Sequence, residues 1–291
     1  MRSNFRSIWI ALALFVPAGP LESVIAQAAD RIVVLAPSLG EIVADILPKG
    51  EVQKRLVGAV DCTDRPDWLK MVPRVGGFSR FDLEAVLALK PDLVLATEDG
   101  NPAEPVGRLA RAGVSVIRVK TSTVAEITDS YRQIARALGQ PERGANLVSE
   151  FQSRYQSASR QAASGGRKPK VVLQLGWDPL VVVGGRGYLA EALVAVGAEN
   201  LFSDSSADAY PRPSVEEVVR RKPDIVVMVE MDGLSGQAAT AAVRWKKLNV
   251  PVGILQSDAL LRPTLSWPEG VKSLAGVIHG TGGADVSIKS D

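Results

Sequence analysis

The chain has 291 residues, 46% hydrophobic and 23% charged, with a formal net charge of +2. That is ordinary globular material, with room for one large domain or two medium ones. The near balance of charge, with no long basic run, gives no argument for nucleic acid. One His and one Cys in the whole chain exclude a typical zinc or copper site.

The N-terminus carries Arg2 and Arg6, an apolar run over 8–16, then Ala26-Gln27-Ala28. This layout predicts a secretory signal peptide over residues 1–28. The apolar run is too short to span a bilayer, which needs about 20 residues. Cys62 is the only cysteine, so no intrachain disulfide can form, although an exporting compartment would permit one. It also lies far from the signal region, which leaves no lipid anchor there. The expectation is an exported, unanchored protein of the periplasm.

A strand is expected over 31–35, then a helix over 39–47. Ser38 is its expected cap, with Glu41 completing a capping box. A short strand follows at 56–60, with polar loops at 61–66 and 75–80. A helix opens at Asp82, Pro91 stops it, and a strand at 93–96 comes next. A helix over 103–112, a strand over 113–117 and a helix over 124–138 follow, and Gly139 ends the last.

Residues 141–164 then carry Val148, Phe151, Tyr155, Ala158 and Ala162 in steps of three and four. That spacing predicts one amphipathic helix, opened by Pro141 and stopped by Gly165-Gly166. Strand–helix alternation resumes beyond it. A strand at 170–175, a loop at 176–179 and a hairpin-like arm at 180–183 lead to Gly184-Gly185-Arg186-Gly187. This turn lacks the G-x-G-x-x-G spacing of a phosphate cradle, and reads as a turn with a ligand-facing Arg186. A helix at 188–196, a loop at 203–213 and a helix from 215 follow. The chain closes with a strand at 225–229, a helix at 238–247, a strand at 250–255 and a helix around 269–279, with 280–291 frayed.

The two halves match. Leu83-Glu84-Ala85-Val86 precedes Lys90-Pro91-Asp92, and Val215-Glu216-Glu217-Val218 precedes Lys222-Pro223-Asp224. Strand-like runs flank both blocks in the same order, and internal similarity of this kind points to a duplicated unit. The fold class is therefore α/β, with two similar lobes of mostly parallel sheet flanked by helices, joined by one long helix. The expected boundaries are 29–138 for the first lobe, 139–166 for the linker and 167–291 for the second lobe. In such sheets ligands collect beyond the strand ends.

The chemistry on offer is non-catalytic. His279 is the one imidazole and no G-x-S-x-G occurs, so a nucleophile triad has no base. An exported enzyme on this scaffold would have carboxylates alone to work with. Phe78, Trp177 and Trp267 are expected in loops, where they offer apolar area and stacking to a macrocycle. Asp178, Asp258 and Arg262 could orient its amides. Glu84 and Glu216 fall at the second position of matching helices. Each is either a stabilising charge at a positive helix end or a surface group with a second role. Ser214 and Glu217 form a capping box, which leaves Glu217 structural.

LEAVLALKPDLVLA, its counterpart VEEVVRRKPDIVVM, the linking helix and VVLQLGWDP followed by LVAVGAENLF carry a resemblance. The chain resembles the periplasmic binding proteins for cobalamin, haem and ferric siderophores over about 31–279, and its cobalamin-binding members most. The resemblance implies little hinge closure, a ligand held between the lobes, and action as a monomer. It implies delivery of cobalamin or another corrinoid to an ABC permease dimer, with no covalent chemistry and no cofactor. Haem or a ferric siderophore is the alternative cargo. One surface acid per lobe would dock onto permease arginines, and those acids match Glu84 and Glu216. Family pocket positions fall on Cys62, Phe78, Thr97, Leu175, Asp178, Asp258 and Arg262. Cys62, Thr97 and Leu175 stand where several cobalamin pockets have aromatics, and Trp177 is the candidate replacement. Haem would want an axial His or Tyr, with Tyr188 and Tyr210 at hand. Siderophores would want cations such as Arg65, Arg80, Arg186 and Arg262.

Overall fold

The computed structural model describes residues 28–61, 67–162, 168–205, 208–230 and 237–280. The signal segment 1–27, Cys62 with its neighbours 63–66, and residues 281–291 lie outside that set.

The first lobe runs β1 (Ile32–Val34), α1 (Pro37–Ile46), α2 (Glu51–Arg55), β2 (Leu56–Ala59), α3 (Asp67–Lys70), β3 (Gly76–Gly77) and β4 (Arg80–Phe81). It continues with α4 (Leu83–Ala88), β5 (Leu93–Thr97), α5 (Ala103–Arg111), β6 (Ser115–Val119) and α6 (Val124–Ala137). Four strands form a parallel sheet in the order β2-β1-β5-β6, while β3 and β4 pair as a small hairpin. Successive strand residues point to opposite faces, so both faces of this sheet are apolar. Ile32, Val34, Leu93 and Leu95 pack against α1 and α6. Val33, Leu35, Val94 and Ala96 pack against Val86 of α4 and Val106 and Leu109 of α5.

The second lobe repeats the plan after α7 (Pro141–Ala162). It runs β7 (Lys170–Trp177), β8 (Leu180–Val182), α8 (Tyr188–Ala195), β9 (Glu199–Asn200), α9 (Val215–Arg220), β10 (Ile225–Glu230) and α10 (Gln237–Lys247). It ends with β11 (Val252–Gln256), α11 (Asp258–Leu261) and α12 (Trp267–Gly280). The order is β11-β10-β7-β8, with β8 antiparallel to β7 and β9 pairing β7 in parallel.

The repeated Lys-Pro-Asp has a physical reason. Lys90 and Lys222 adopt the left-handed conformation, at φ 48° and 51°, which lets each chain leave its helix. The Asp then clasps the start of the neighbouring strand. Asp92 accepts from the backbone N–H groups of Asp30 at 2.9 Å and Arg31 at 3.0 Å. Asp224 accepts from that of Lys170 at 2.7 Å.

Helix α7 has 22 residues and spans about 33 Å at 1.5 Å per residue. It packs on α6 in the first lobe and α12 in the second. Val148 belongs to the first lobe's core, whereas Phe151 and Ala158 belong to the second's. Gly144 permits the close approach to α6: a Cβ there would lie 2.3 Å from that of Ala135.

Other contacts cross between the lobes. The buried Tyr131 hydroxyl donates to Asp45 Oδ2 at 2.7 Å and accepts from the Leu265 N–H at 3.0 Å. The Tyr188 N–H donates to the Ser122 carbonyl at 2.6 Å, and Glu191 accepts from the Val124 N–H at 3.2 Å. Arg262 donates to Glu41 at 2.7 Å. Two sequence expectations fail here. Ala36, not Ser38, precedes α1 and no side chain caps it, because Pro37 opens the helix two residues early. Glu41 therefore sits inside the helix and reaches Arg262 instead of closing a capping box. Trp267 is no loop aromatic either. It starts α12, is fully buried, and stacks on Phe151 at 6.2 Å between ring centroids.

With a continuous helix and these cross-contacts, the lobes should move little. Small-angle scattering with and without ligand should give nearly the same radius of gyration; a contraction of several ångströms would overturn this. The joint should also leave a pH signature. Burial raises the carboxyl pKa of Glu41 and Asp45, partly offset by Arg262 for the first and Tyr131 for the second. A raised folded value means that this share of stability is present below the ordinary 4.5 and 3.8. It is lost as pH rises through the folded values. Asp45→Asn should flatten that fall, measured by urea unfolding across acidic and neutral pH.

Candidate functional site

The ends of β7 and β10, with α10 and α11, enclose a cavity of about 290 Å³. Its wall includes Gln174, Leu175, Trp177, Met228, Glu230 and Leu261. This is the place where parallel α/β sheets collect ligands. The wall is largely apolar, with a few polar groups at fixed positions, which is the usual character of a small-molecule site.

Trp177 is the largest of these side chains. It ends β7 and does not sit in a loop, because β8 folds back on that strand and extends the pairing to Trp177 opposite Leu180. The ring is held on two sides. Trp245 of α10 meets it edge-on at 5.5 Å between centroids. The Arg244 guanidinium lies 4.8 Å from the ring centre, within cation–π range. Trp245 is fully buried and donates from Nε1 to Gln174 Oε1 at 2.7 Å. Gln174 Nε2 donates in turn to the Gly176 carbonyl at 3.2 Å. The oxygen and the nitrogen of this amide are thus both bonded within the wall. Nothing in the sequence marks the Trp245, Arg244 and Gln174 supports. The Trp-Lys-Lys run of α10 reads as a charged surface helix.

The other expected residues fall in several places. Leu175 and Trp177 share the cavity wall. Asp178 is exposed in the turn between β7 and β8, and Arg186 is exposed before α8. Asp258 and Arg262 meet each other at 2.8 Å, and Arg262 also holds Glu41. Their charges serve the joint between lobes in this structure. Thr97 is 3% exposed, and its N–H and hydroxyl meet Asn101 Oδ1 at 2.7 and 3.3 Å. Asn101 also donates to the carbonyls of Leu35 and Phe78, so Thr97 belongs to a buried polar knot. Phe78 is 37% exposed and lies over Gly100, where a Cβ would come 1.9 Å from its ring. It belongs to the first lobe and is not part of the cavity wall. Cys62 lies outside the described residues.

Glu84 and Glu216 are both exposed at the second position of α4 and α9. Asp82 and Ser214 cap these helices in the same way. The backbone N–H of Glu216 and the Ser214 hydroxyl hold the Glu216 carboxyl below its ordinary value. Glu217 is only half of a capping box: its N–H meets Ser214, while its carboxylate turns to Arg221 at 2.8 Å. Among the described residues no group of three His, Cys, Asp or Glu could hold a metal ion. No described helix is long and apolar enough to cross a membrane.

Two like lobes on one helical strut, with a cavity at the strand ends, define a two-lobed binding protein. The chain belongs to the periplasmic binding protein family, which it matches over residues 32–261. It is 31% identical over 260 residues to the vitamin B12-binding protein of Salmonella typhimurium, covering 88% of this chain and 90% of that one. Among solved structures it resembles the periplasmic vitamin B12-binding protein BtuF of Vibrio cholerae. There the TM-score is 0.74 at 26% identity, covering 88% of this chain and 99% of that one. It also resembles a periplasmic haem-binding protein from Pseudomonas aeruginosa, with TM-score 0.72 and 26% identity, covering 87% and 94%.

Trp177→Ala should weaken ligand binding by about fivefold to a hundredfold, since burying one large ring contributes on the order of 1–3 kcal/mol. The fold should survive, as Trp245 stays buried. Isothermal titration of the variant checks this, and unchanged affinity would remove Trp177 from the site.

Proposed function

We propose that this chain is a periplasmic solute-binding protein that delivers cobalamin, or another corrinoid, to an ABC importer. The observation that carries the reading is the match to vitamin B12-binding relatives across nearly the whole length of both chains. The site is compatible with it. A largely apolar wall that includes the Trp177 indole suits one edge of a macrocycle. Binding and release need no covalent chemistry. The lobes are assigned to 29–138 and 167–291, with 139–166 between them, and export is assigned to residues 1–28.

Haem is the second reading, favoured by the haem-binding structural relative. The available side chains speak against it. The Tyr188 hydroxyl donates to the Leu261 carbonyl at 2.8 Å, and burial raises its pKa strongly. A phenol held this way is a poor axial ligand. His279 is tied to the Val196 carbonyl at 2.7 Å. Tyr210 is left, and burial raises its pKa too.

Titrating the mature protein with cyanocobalamin, hemin and several ferric siderophores, followed by Trp fluorescence, tests the reading. Cyanocobalamin should quench saturably, with Trp177 as reporter. Saturation by hemin or a siderophore alone would move the assignment to that cargo. Turnover of any of them would bring back the enzyme.

Glu84 and Glu216 are assigned to docking on the permease. Two contacts on linked lobes gain from effective concentration, and rim charge pairs weaken with salt. Reversing both to Lys should leave ligand affinity nearly intact, since exposed changes are usually within about 0.5 kcal/mol. Permease-dependent uptake should collapse. Normal uptake by the double reversal would reduce both acids to helix-end charges.

A further inference from the structure

Arg244 is exposed on α10, yet its guanidinium lies against a ring that lines the cavity. Ala238 and Ala241 of the same helix line that cavity, and Arg244 follows three residues after Ala241. Helical side chains lean toward the helix N-terminus. Arg244 therefore reaches back over the turn of Ala241, to 4.8 Å from the centre of the Trp177 ring. The ring attracts the charge but takes up few of the five N–H donors of a guanidinium. Among the described residues no acid pairs with Arg244. Glu230, the acid on the cavity wall, has partners of its own, Gln256 at 3.4 Å among them. The cavity holds about 290 Å³, too little to enclose a macrocycle with its substituents. A bound macrocycle therefore extends past the wall, and beyond Trp177 it meets Arg244.

We propose that Arg244 is a specificity-determining residue, which binds an oxyanion on the periphery of the ligand while Trp177 holds an apolar part. The proposal rests on the corrinoid reading above for the identity of that oxyanion. It is the phosphodiester of the nucleotide loop, which cobalamin has and cobinamide lacks. In a haem the same chemistry would come from a propionate. A guanidinium suits either group, because its planar fork donates two N–H bonds at once to paired oxygens. Its contact with Trp177 already restrains the head, so less freedom is lost when the oxyanion arrives.

The test is a cycle of ligand pairs and protein variants. Affinities for cyanocobalamin and cobinamide, and for hemin and its dimethyl ester, are measured at neutral pH. The proteins are the wild type, Arg244→Gln and Arg244→Lys. Cyanocobalamin should lose at least about fivefold in affinity in Arg244→Gln, while cobinamide changes little. Arg244→Lys should recover part of the loss, since it keeps the charge but not the fork. In the wild type, added salt should weaken cyanocobalamin more than cobinamide, a comparison that needs no variant. A merely structural role, in which Arg244 props Trp177, would weaken both corrinoids alike. Gln is about as good a helix former as Arg, so the exposed substitution should leave α10 intact. An unchanged affinity ratio within both ligand pairs would overturn the proposal, and cyanocobalamin binding would then still support the corrinoid reading. If hemin alone binds, and Arg244→Gln weakens it more than its dimethyl ester, the oxyanion is a propionate. The inference about Arg244 then stands and the corrinoid reading fails. Failure of the wild type to bind any of the four would overturn both.

Discussion

The structure depends on one turn of α7. Val148 and Phe151 are three residues apart, so they share nearly the same helix face, yet they enter different cores. The lobes therefore abut at that turn and are not strung on a free linker. Gly144 brings the helix against α6, and Phe151, Tyr155 and Trp267 stack where it meets α12. The polar contacts around this apolar seam set orientation more than energy. Glu41 and Arg262 remain about a quarter to a third exposed, and partly solvated pairs contribute little net stability.

The candidate site inherits its geometry from that seam. Helix α11 is four residues long, capped by Ser257. Leu261 at its end lines the cavity, and its carbonyl accepts from Tyr188. The next residue, Arg262, crosses to the first lobe. The same short helix is thus cavity wall and lobe joint. Glu230 and Trp177 approach the cavity from the sheet, where hydrogen-bonded register leaves little room for adjustment.

Most of the fold was legible in the sequence, because its signals are local and repeated. Apolar strands between helical periods, Pro91 and Pro223 after each short helix, and the matched acids all act over a few residues. Ser38 shows where such signals fail. Ser-x-x-Glu before an apolar run is a fair capping box, but Pro37 admits an earlier start and Glu41 finds a partner 221 residues away. The site was less legible for the same reason. Trp177 was found because a bulky aromatic at the end of a strand stands out. Trp267 reads as a loop aromatic because its partners lie far away in sequence, on α7 and α8. Trp245 is hidden in a helix whose neighbours are Arg and Lys, and only its packing under β7 shows its role. Glu230 did carry a signal, an acid closing an otherwise apolar strand, which draws attention only once the cavity is seen.

The clasps of Asp92 and Asp224 bear on how the protein folds. A parallel strand pair must be closed over a long stretch of chain, here 61 residues in one lobe and 54 in the other. Such closure is slow, and the backbone alone barely distinguishes one register from the next. A carboxylate at the entrance of one strand meets the N–H groups at the entrance of the other only in the correct alignment. A slip of one residue would strand it and would turn every side chain to the wrong face. Each lobe therefore carries its own proofreading contact, so a mistaken pairing is penalised before the helices pack over the sheet.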